Sequence, residues 1–267
     1  MTAGQEHETI AYEERDHVAW LTLSRPQSLN AFNEQMSSEL LTVIEHLRSS
    51  DDVRALVIRG NPDGRSFMAG ADIGMLERWS VLSEEELKAV LRQTFTPTML
   101  ERLPQPTIAA VDGFAFGMGC EIALGCDFRV VTSRSQLGLP EISLGIMPGA
   151  GGSQRLPRLI GRTRAAEVVL TNRRISAEEA LEWGVANALV EPEELDAAVQ
   201  DLLGRLLGMS PLALRRAKAA LVASVEEPLS PGIETELELF VASVGSEDAA
   251  EGTRAFLDKR KPTFTGR

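Results

Sequence analysis

Two glutamates stand where acid–base chemistry needs a carboxyl group withdrawn from water. Glu121 lies in Gly117-Met118-Gly119-Cys120-Glu121-Ile122-Ala123-Leu124, and Glu141 is the single acid in the apolar, glycine-rich run 138–152. If a helix starts at Gly117–Gly119, its first N–H groups lack intrahelical partners and point outward. Glycine lets a ligand approach those groups closely, and the helix dipole favours a developing anion beside them. Glu121 would then lie in the first turn, next to the anion site. Taken alone, the simpler reading is a first-turn acid favoured by the dipole, with its neighbours forming a small-residue packing face. A carboxylate at Glu141 is paired, or neutral with a raised pKa, or exposed at a strand end. A third segment, Ser66-Phe67-Met68-Ala69-Gly70-Ala71-Asp72-Ile73, offers small residues around Gly70 that expose backbone N–H groups. It fits equally an ordinary loop entering a helix, with Asp72 near the N-cap.

Other chemistries lack their residues. The only histidines are His7, His17 and His46, all early and none near a glycine-rich turn. A Ser-His-Asp triad or a histidine metal site is hard to build from them, and no metal site is expected. There is no G-x-S-x-G and no P-loop lysine motif. Gly117-x-Gly119 lacks the third glycine of a dinucleotide fingerprint.

The elements that must position these segments alternate in type. Val18–Leu23 alternates apolar and polar like a half-buried strand, ended by Ser24-Arg25-Pro26. Asn33 is placed to cap a helix with Met36, Leu40, Val43, Ile44 and Leu47 at helical spacing. Residues 53–59 read as a buried strand. Ser83 and Glu86 form a capping-box pattern before a helix through Leu87 and Leu91, which Pro97 kinks or ends. Thr107–Val111 and Phe128–Thr132 read as buried strands, with a short apolar helix pattern between them. Pro140–Leu144 reads as a strand end, 149–152 as a glycine-rich turn, and 153–160 as helix. Ser176 caps a helix through Trp183, with Glu179 at the capping-box position, and 187–190 is a last short strand. From Glu193 onward the pattern is helical. The class is therefore α/β with a helical remainder suited to packing or oligomerisation. No internal repeat stands out in the sequence. Met68, Met75, Leu76, Trp79, Phe95 and Met99 either line a pocket or form plain core.

A chain of 267 residues can bury a substantial core. A formal net charge of -12 argues against nucleic acid or an anionic membrane as the main partner. An anionic ligand would need a local basic patch or helix N-termini. The two cysteines, Cys120 and Cys126, form no disulfide framework, so a cytoplasmic location is expected. Residues 1–15 are acidic and lack the basic and apolar regions of a signal peptide, so none is expected. No apolar run approaches the length of a membrane span.

In their order and spacing, the segments resemble the crotonase superfamily, the enoyl-CoA hydratases and isomerases. The likeness begins at Leu23-Ser24-Arg25-Pro26-Gln27-Ser28-Leu29-Asn30-Ala31 and continues through Ala69-Gly70-Ala71-Asp72-Ile73. It covers 110–190 almost without interruption and resumes in Phe256-Leu257-Asp258-Lys259-Arg260-Lys261. The resemblance implies a spiral of ββα repeats over 1–195 and a helical trimerisation region over 196–267, in a homotrimer or homohexamer. It implies an acyl-CoA thioester as substrate, with coenzyme A part of that substrate and no separate cofactor. The thioester oxygen would meet the N–H groups of Ala71 and Met118. Relatives commonly carry glycine at the position of Met118, whose side chain is expected to narrow the pocket. Glu121 and Glu141 match the two glutamates of the hydratases, Glu121 activating water and Glu141 supplying the C2 proton. Ligand contacts are implied at Arg25, Leu29, Ala69, Asp72, Ile73, Gly74, Gly117, Gly149, Phe256 and Lys259. Some relatives have lysine where this chain has Gly74, which removes one possible nucleotide contact. The reaction implied is syn addition of water to a 2-enoyl thioester. The alternatives are double-bond isomerisation or other enolate chemistry on the same scaffold, or acyl-CoA binding without catalysis.

Overall fold

The computed structural model describes residues 7–267; of the acidic start discussed above, residues 1–6 lie outside the described residues. Two sheets organise the first 190 residues. The larger has the order β1 (Ile10–Arg15), β2 (Val18–Leu23), β3 (Ala55–Gly60), β5 (Thr107–Val111), β7 (Phe128–Thr132) and β10 (Ala188–Val190). All its neighbours are parallel except the β1–β2 pair. The smaller has the order β4 (Ser66–Met68), β6 (Phe114–Phe116), β8 (Gln136–Gly138) and β9 (Ile175–Ser176). Its first three strands are parallel and β9 is antiparallel.

Three of the long strands, β3, β5 and β7, are each followed by a short one and then a helix. β3 and β4 lead to α2 (Ile73–Ser80), β5 and β6 to α5 (Met118–Gly125), and β7 and β8 to α6 (Gly152–Thr171). This is the ββα spiral that the family resemblance implied. The repeat is one of geometry: each unit puts its first strand in one sheet and its second in the other, whatever its side chains. Helix α1 (Glu34–Ser49) precedes these units, α3 (Glu84–Gln93) and α4 (Thr98–Glu101) run between the first and second, and α7 (Ala177–Glu182) follows the last.

Strand alternation divides the core. Ala19, Leu21, Leu23, Leu56, Ile58, Ala109, Val111 and Val131 face the main cluster, packed against Leu40, Val43, Ile44 and Leu47 of α1 and against Cys120 and Ile122 of α5. The alternate residues Val18, Trp20, Ala55, Val57, Ile108, Ala110 and Val130 face the other way. There Val199, Leu203 and Leu206 of α8 (Leu195–Leu207) cover them. A parallel sheet with both faces buried explains why these strands read as nearly continuous apolar runs. Met68, Met75 and Phe95 are buried members of the main cluster and so are core.

The caps follow the sequence. Asn33 accepts from the Met36 amide, and Ser83–Glu86 and Ser176–Glu179 form reciprocal capping boxes. Pro140–Leu144 departs from the strand expected there and forms a 3-10 helix. Proline has no N–H to continue the ladder beyond Gly138, and its fixed φ suits the first turn of a helix. The helix expected over 153–160 begins at Gly152 and extends to Thr171, broken at Gly161, where φ is +77.

After α8 come α9 (Pro211–Glu226), α10 (Leu229–Val244) and α11 (Glu247–Leu257). Lys218 of α9 is buried, donating to the Leu100 and Gln105 carbonyls and pairing with Asp127 at 2.7 Å. Those contacts tie α9 to α4, to the loop before β5 and to the loop before β7. α10 buries none of its residues, and Ile233, Leu237, Phe240, Val241 and Val244 are all more than half exposed. Among the described residues, no helix is long and apolar enough to cross a membrane.

Candidate active site

Strand register assembles the site. β4, β6 and β8 lie side by side, with Met68 opposite Ala115 and Phe116 opposite Gly138. The segments that leave their C-terminal ends, 69–72, 117–118 and 139–141, are therefore neighbours. They are the three segments singled out above, far apart in sequence. Gly117 N–H donates to Gly138 O at 2.9 Å and prolongs the ladder by one bond.

Gly117 has φ +51 and ψ −122, a backbone state that a side chain strongly disfavours. It turns the chain directly from β6 into α5. A Cβ there would lie 3.1 Å from Glu141 Oε1 and 3.6 Å from the Gly70 Cα, so these three parts are in near contact. Gly119 lets α5 lie against β4, since a Cβ would come 2.2 Å from Met68 O. Met118 is the first residue of α5, and its side chain is buried in the main core cluster. Only its N–H remains at the helix end. Ala71 bridges to Phe32 through its neighbours: Phe32 N–H donates to Gly70 O and Asp72 N–H to Phe32 O. Among the described residues, neither the Ala71 nor the Met118 amide donates to a protein group.

Glu121 is 3 % exposed, and its Oε1 accepts from the Ala150 and Gly152 amides, both at 2.8 Å. Burial pushes its carboxyl up from the ordinary range, while those two amides and the Arg155 guanidinium pull against that rise. Glu141, on the 3-10 helix, has no such support: its Oε2 is buried without a hydrogen-bond partner. Burial, aided by the charge on Glu121 and opposed only by a backbone amide, pushes the Glu141 carboxyl up to about 7. The environment thus separates the two carboxyls into a supported carboxylate and a group that holds its proton near neutrality. Their titrations are linked, because the charge on one raises the other.

The loop preceding α1 braces this arrangement. Leu29 and Asn30 both have positive φ, +51 and +58. Fully buried Asn30 donates to Asn61 O at 3.1 Å and Ser66 O at 2.7 Å, and accepts from Arg25 N–H. Ala69 N–H donates to Leu29 O at 3.1 Å. Arg25 donates to Ala31 O and pairs with Asp72 at 3.0 Å, while Asp72 also caps α2 by accepting from the Met75 amide. Gly74 follows closely; a Cβ there would lie 3.2 Å from Asp72 Oδ1. Leu29 and Ile73 remain 45 % and 62 % exposed, which leaves an apolar rim beside the polar centre.

Gly149 lies in the loop that supplies the Ala150 and Gly152 amides. It lines a cavity of about 590 Å³ with Thr96, Thr98, Glu101, Met147 and Arg158. Neither Glu121 nor Glu141 lines that cavity, although Ala150 does. Phe256 is 83 % exposed and Lys259 follows α11 at φ +55; no hydrogen bond or ion pair joins either to the residues above. The Ala150 and Gly152 amides and Arg155 were not among the residues singled out from sequence. The glycine-rich turn at 149–152 was the available signal, since backbone donors need such freedom.

The sequence profile of the enoyl-CoA hydratase/isomerase family matches residues 13–267. The chain is 38 % identical to the crotonyl-CoA hydratase of Syntrophomonas wolfei, over 97 % of this chain and 98 % of that one. It is 40 % identical to the 2,3-dehydroadipyl-CoA hydratase of Escherichia coli K12, over 95 % and 97 %. The crystal structure of an enoyl-CoA hydratase from Bacillus anthracis superposes with a TM-score of 0.88 at 34 % identity, covering 97 % of this chain and 100 % of that one. Matched along almost its whole length in sequence and in fold, and with its paired glutamates beside two unclaimed amides, the chain belongs to the enoyl-CoA hydratase/isomerase family of the crotonase superfamily.

Proposed function

We propose that this protein is a 2-enoyl-CoA hydratase that forms a 3-hydroxyacyl-CoA by syn addition of water. The observation that carries the reading is the unequal pair of carboxyls: Glu121 held by two amides, Glu141 with one buried oxygen unpartnered and its pKa raised to about 7. In this mechanism the thioester oxygen lies against the Ala71 and Met118 amides. A water molecule lies between the carboxyls. Glu121 takes a proton from it as its oxygen attacks C3, and the C2=C3 electrons move through the carbonyl carbon onto the thioester oxygen. The two amides stabilise that charge, each contributing about 3 kcal/mol. As the enolate collapses, Glu141 delivers its proton to C2. Glu121 ends protonated and Glu141 ionised, and exchange with water resets the pair. Coenzyme A belongs to the substrate in this scheme, and no further cofactor takes part.

The ligand contacts proposed are Arg25, Leu29, Ala69, Asp72, Ile73, Gly74, Gly117 and Gly149, with Phe256 and Lys259 reached only by a ligand or subunit that extends to α11. We also propose that residues 196–267 carry the self-association surface. The support is the row of exposed apolar side chains on α10, continued by Leu221 and Val225 of α9. Light scattering should then give three or six times the 29.0 kDa chain mass. A monomer would refute this part alone. A cytoplasmic location accords with Cys120 and Cys126, which are free and buried.

The direct test is the loss of enoyl-thioester absorbance when crotonyl-CoA or longer 2-enoyl-CoA substrates are mixed with pure protein. Turnover is expected for at least one chain length. Failure across all lengths, with acyl-CoA still bound, would instead indicate a binding protein.

A further inference from the structure

We propose that Arg155 is a positioning residue for Glu121: it locks the loop that grips this carboxylate and supplies the buried positive charge facing it. The inference rests on the hydratase reading for its kinetic consequence, though not for its geometry.

Arg155 lies in the first turn of α6 with a side chain only 13 % exposed. One guanidinium nitrogen, Nη1, donates to Ala150 O at 3.1 Å. The other, Nη2, donates to Thr98 Oγ1 at 2.7 Å and to Glu101 Oε2 at 2.8 Å. Its backbone N–H donates to Gly151 O at 2.8 Å. The side chain therefore fastens α4 to the carbonyl side of residue 150, while the N–H groups of residues 150 and 152 face Glu121. Gly151 is part of the same device. It has φ +110, and a Cβ there would come 1.9 Å from Arg155 Nη1, so the guanidinium occupies the space a side chain would need.

The electrostatics agree with that geometry. Arg155 is the cation whose field lowers the Glu121 pKa against the rise caused by burial. The other charged or titratable groups around Glu121 are few. Glu141 faces it from the 3-10 helix, Cys120 precedes it in α5, and Glu101 stands behind Arg155 as its counterion. Arg129 is spent at the far end of α5, donating to the Ala123 and Cys126 carbonyls. Removing Arg155 thus takes away the cation nearest Glu121 in this network, whereas neutralising Glu101 leaves that cation less compensated.

The two substitutions should therefore act with opposite sign. Arg155→Met is expected to lower kcat about 10- to 100-fold with little change in KM, because the base is misplaced after binding. It should also move the acidic limb of the kcat–pH profile up by about one pH unit. Arg155→Lys should recover part of that movement, and Glu101→Gln should move the limb down. A merely structural contact would make Arg155→Met and Glu101→Gln lower Tm alike and leave the limb in place. A second readout needs no turnover: the Glu121 carboxyl carbon, assigned by difference from Glu121→Gln, is titrated by 13C NMR in full-length protein. If the wild type hydrates nothing, the hydratase reading fails while this titration still decides the role of Arg155. An unmoved Glu121 titration in Arg155→Met, or in Arg155→Lys and Glu101→Gln if Arg155→Met does not fold, overturns the proposal.

Discussion

Glu121→Gln and Glu141→Gln are each expected to lower crotonyl-CoA turnover by a factor on the order of 10² to 10⁴, the usual contribution of a positioned acid or base. The folds should survive, for different reasons. In Glu121→Gln the side-chain carbonyl can still accept from the Ala150 and Gly152 amides, so the loop stays anchored while the base is gone. At 141 the wild-type carboxyl already has a buried oxygen without a partner, so an amide loses no hydrogen bond there. The pH behaviour should separate the two. With Glu141 acting as acid near a pKa of about 7, wild-type hydration should fall as pH rises above that value. Glu141→Gln should show no such limb in its residual rate.

Stability should move the other way. The folded-state pKa of Glu141 is raised above its ordinary value, so the folded protein binds the proton more tightly than the unfolded chain. The resulting stabilisation is full below the ordinary carboxylate pKa and is lost as pH rises through about 7. At pH 8, Glu141→Gln should therefore match or exceed the wild type in stability, by roughly 1 kcal/mol once partial solvent exposure is discounted. At pH 4 the advantage should vanish. Paired melts at the two pH values check this. Wild-type turnover in Glu141→Gln would remove Glu141 from the mechanism.

Gly117→Ala should produce the other large effect. Glycine is needed twice at this position. Its φ of +51 with ψ −122 is a state that costs a residue with Cβ about 1–3 kcal/mol. The added carbon would also stand 3.1 Å from Glu141 Oε1. Relief of either strain displaces the Met118 amide, the Glu141 carboxyl, or both. A donor lost from the oxyanion site costs about 10²- to 10³-fold in kcat. Gly184→Ala is the control, because Gly184 has φ +75 with nothing within 4 Å of a Cβ and plays no part in the site. It should lower Tm and leave kcat intact. Equal kinetic losses in both variants would mean that general destabilisation, rather than the amide, accounts for the effect.

The sequence exposes elements whose residues carry their own signal. Thr107–Val111 and Phe128–Thr132 are strands buried on both faces, so most of their residues are apolar. Asn33, Ser83 and Ser176 cap through bonds that reach only three residues ahead. β1 carries no such signal, because only one of its residues is buried and an edge strand of mostly polar residues has no periodicity. β4, β6 and β8 are three residues each, shorter than the pattern that identifies a strand. They hold their places through pairing with one another, which no local window contains. The ββα repeat was hidden for the same reason: its units share geometry without sharing a residue pattern.

The site divides along the same line. From residues alone, Glu121 and Glu141 were marked as unusual by glycine and apolar neighbours, and Gly117–Gly119 as a turn exposing amides. Those are properties of a dozen adjacent residues, and they left several roles open for each carboxyl. Which carboxyl is supported and which is stranded depends on contacts that only folding creates. Glu121 meets amides 29 and 31 residues away, and Arg155 holds their loop by reaching back 54 residues to Glu101. Desolvation and charge act through space, so the proton affinities of the two acids are fixed by what packs around them. The chain supplied the groups and the flexible turns; the paired short strands decided their spacing, and with it which acid keeps its proton.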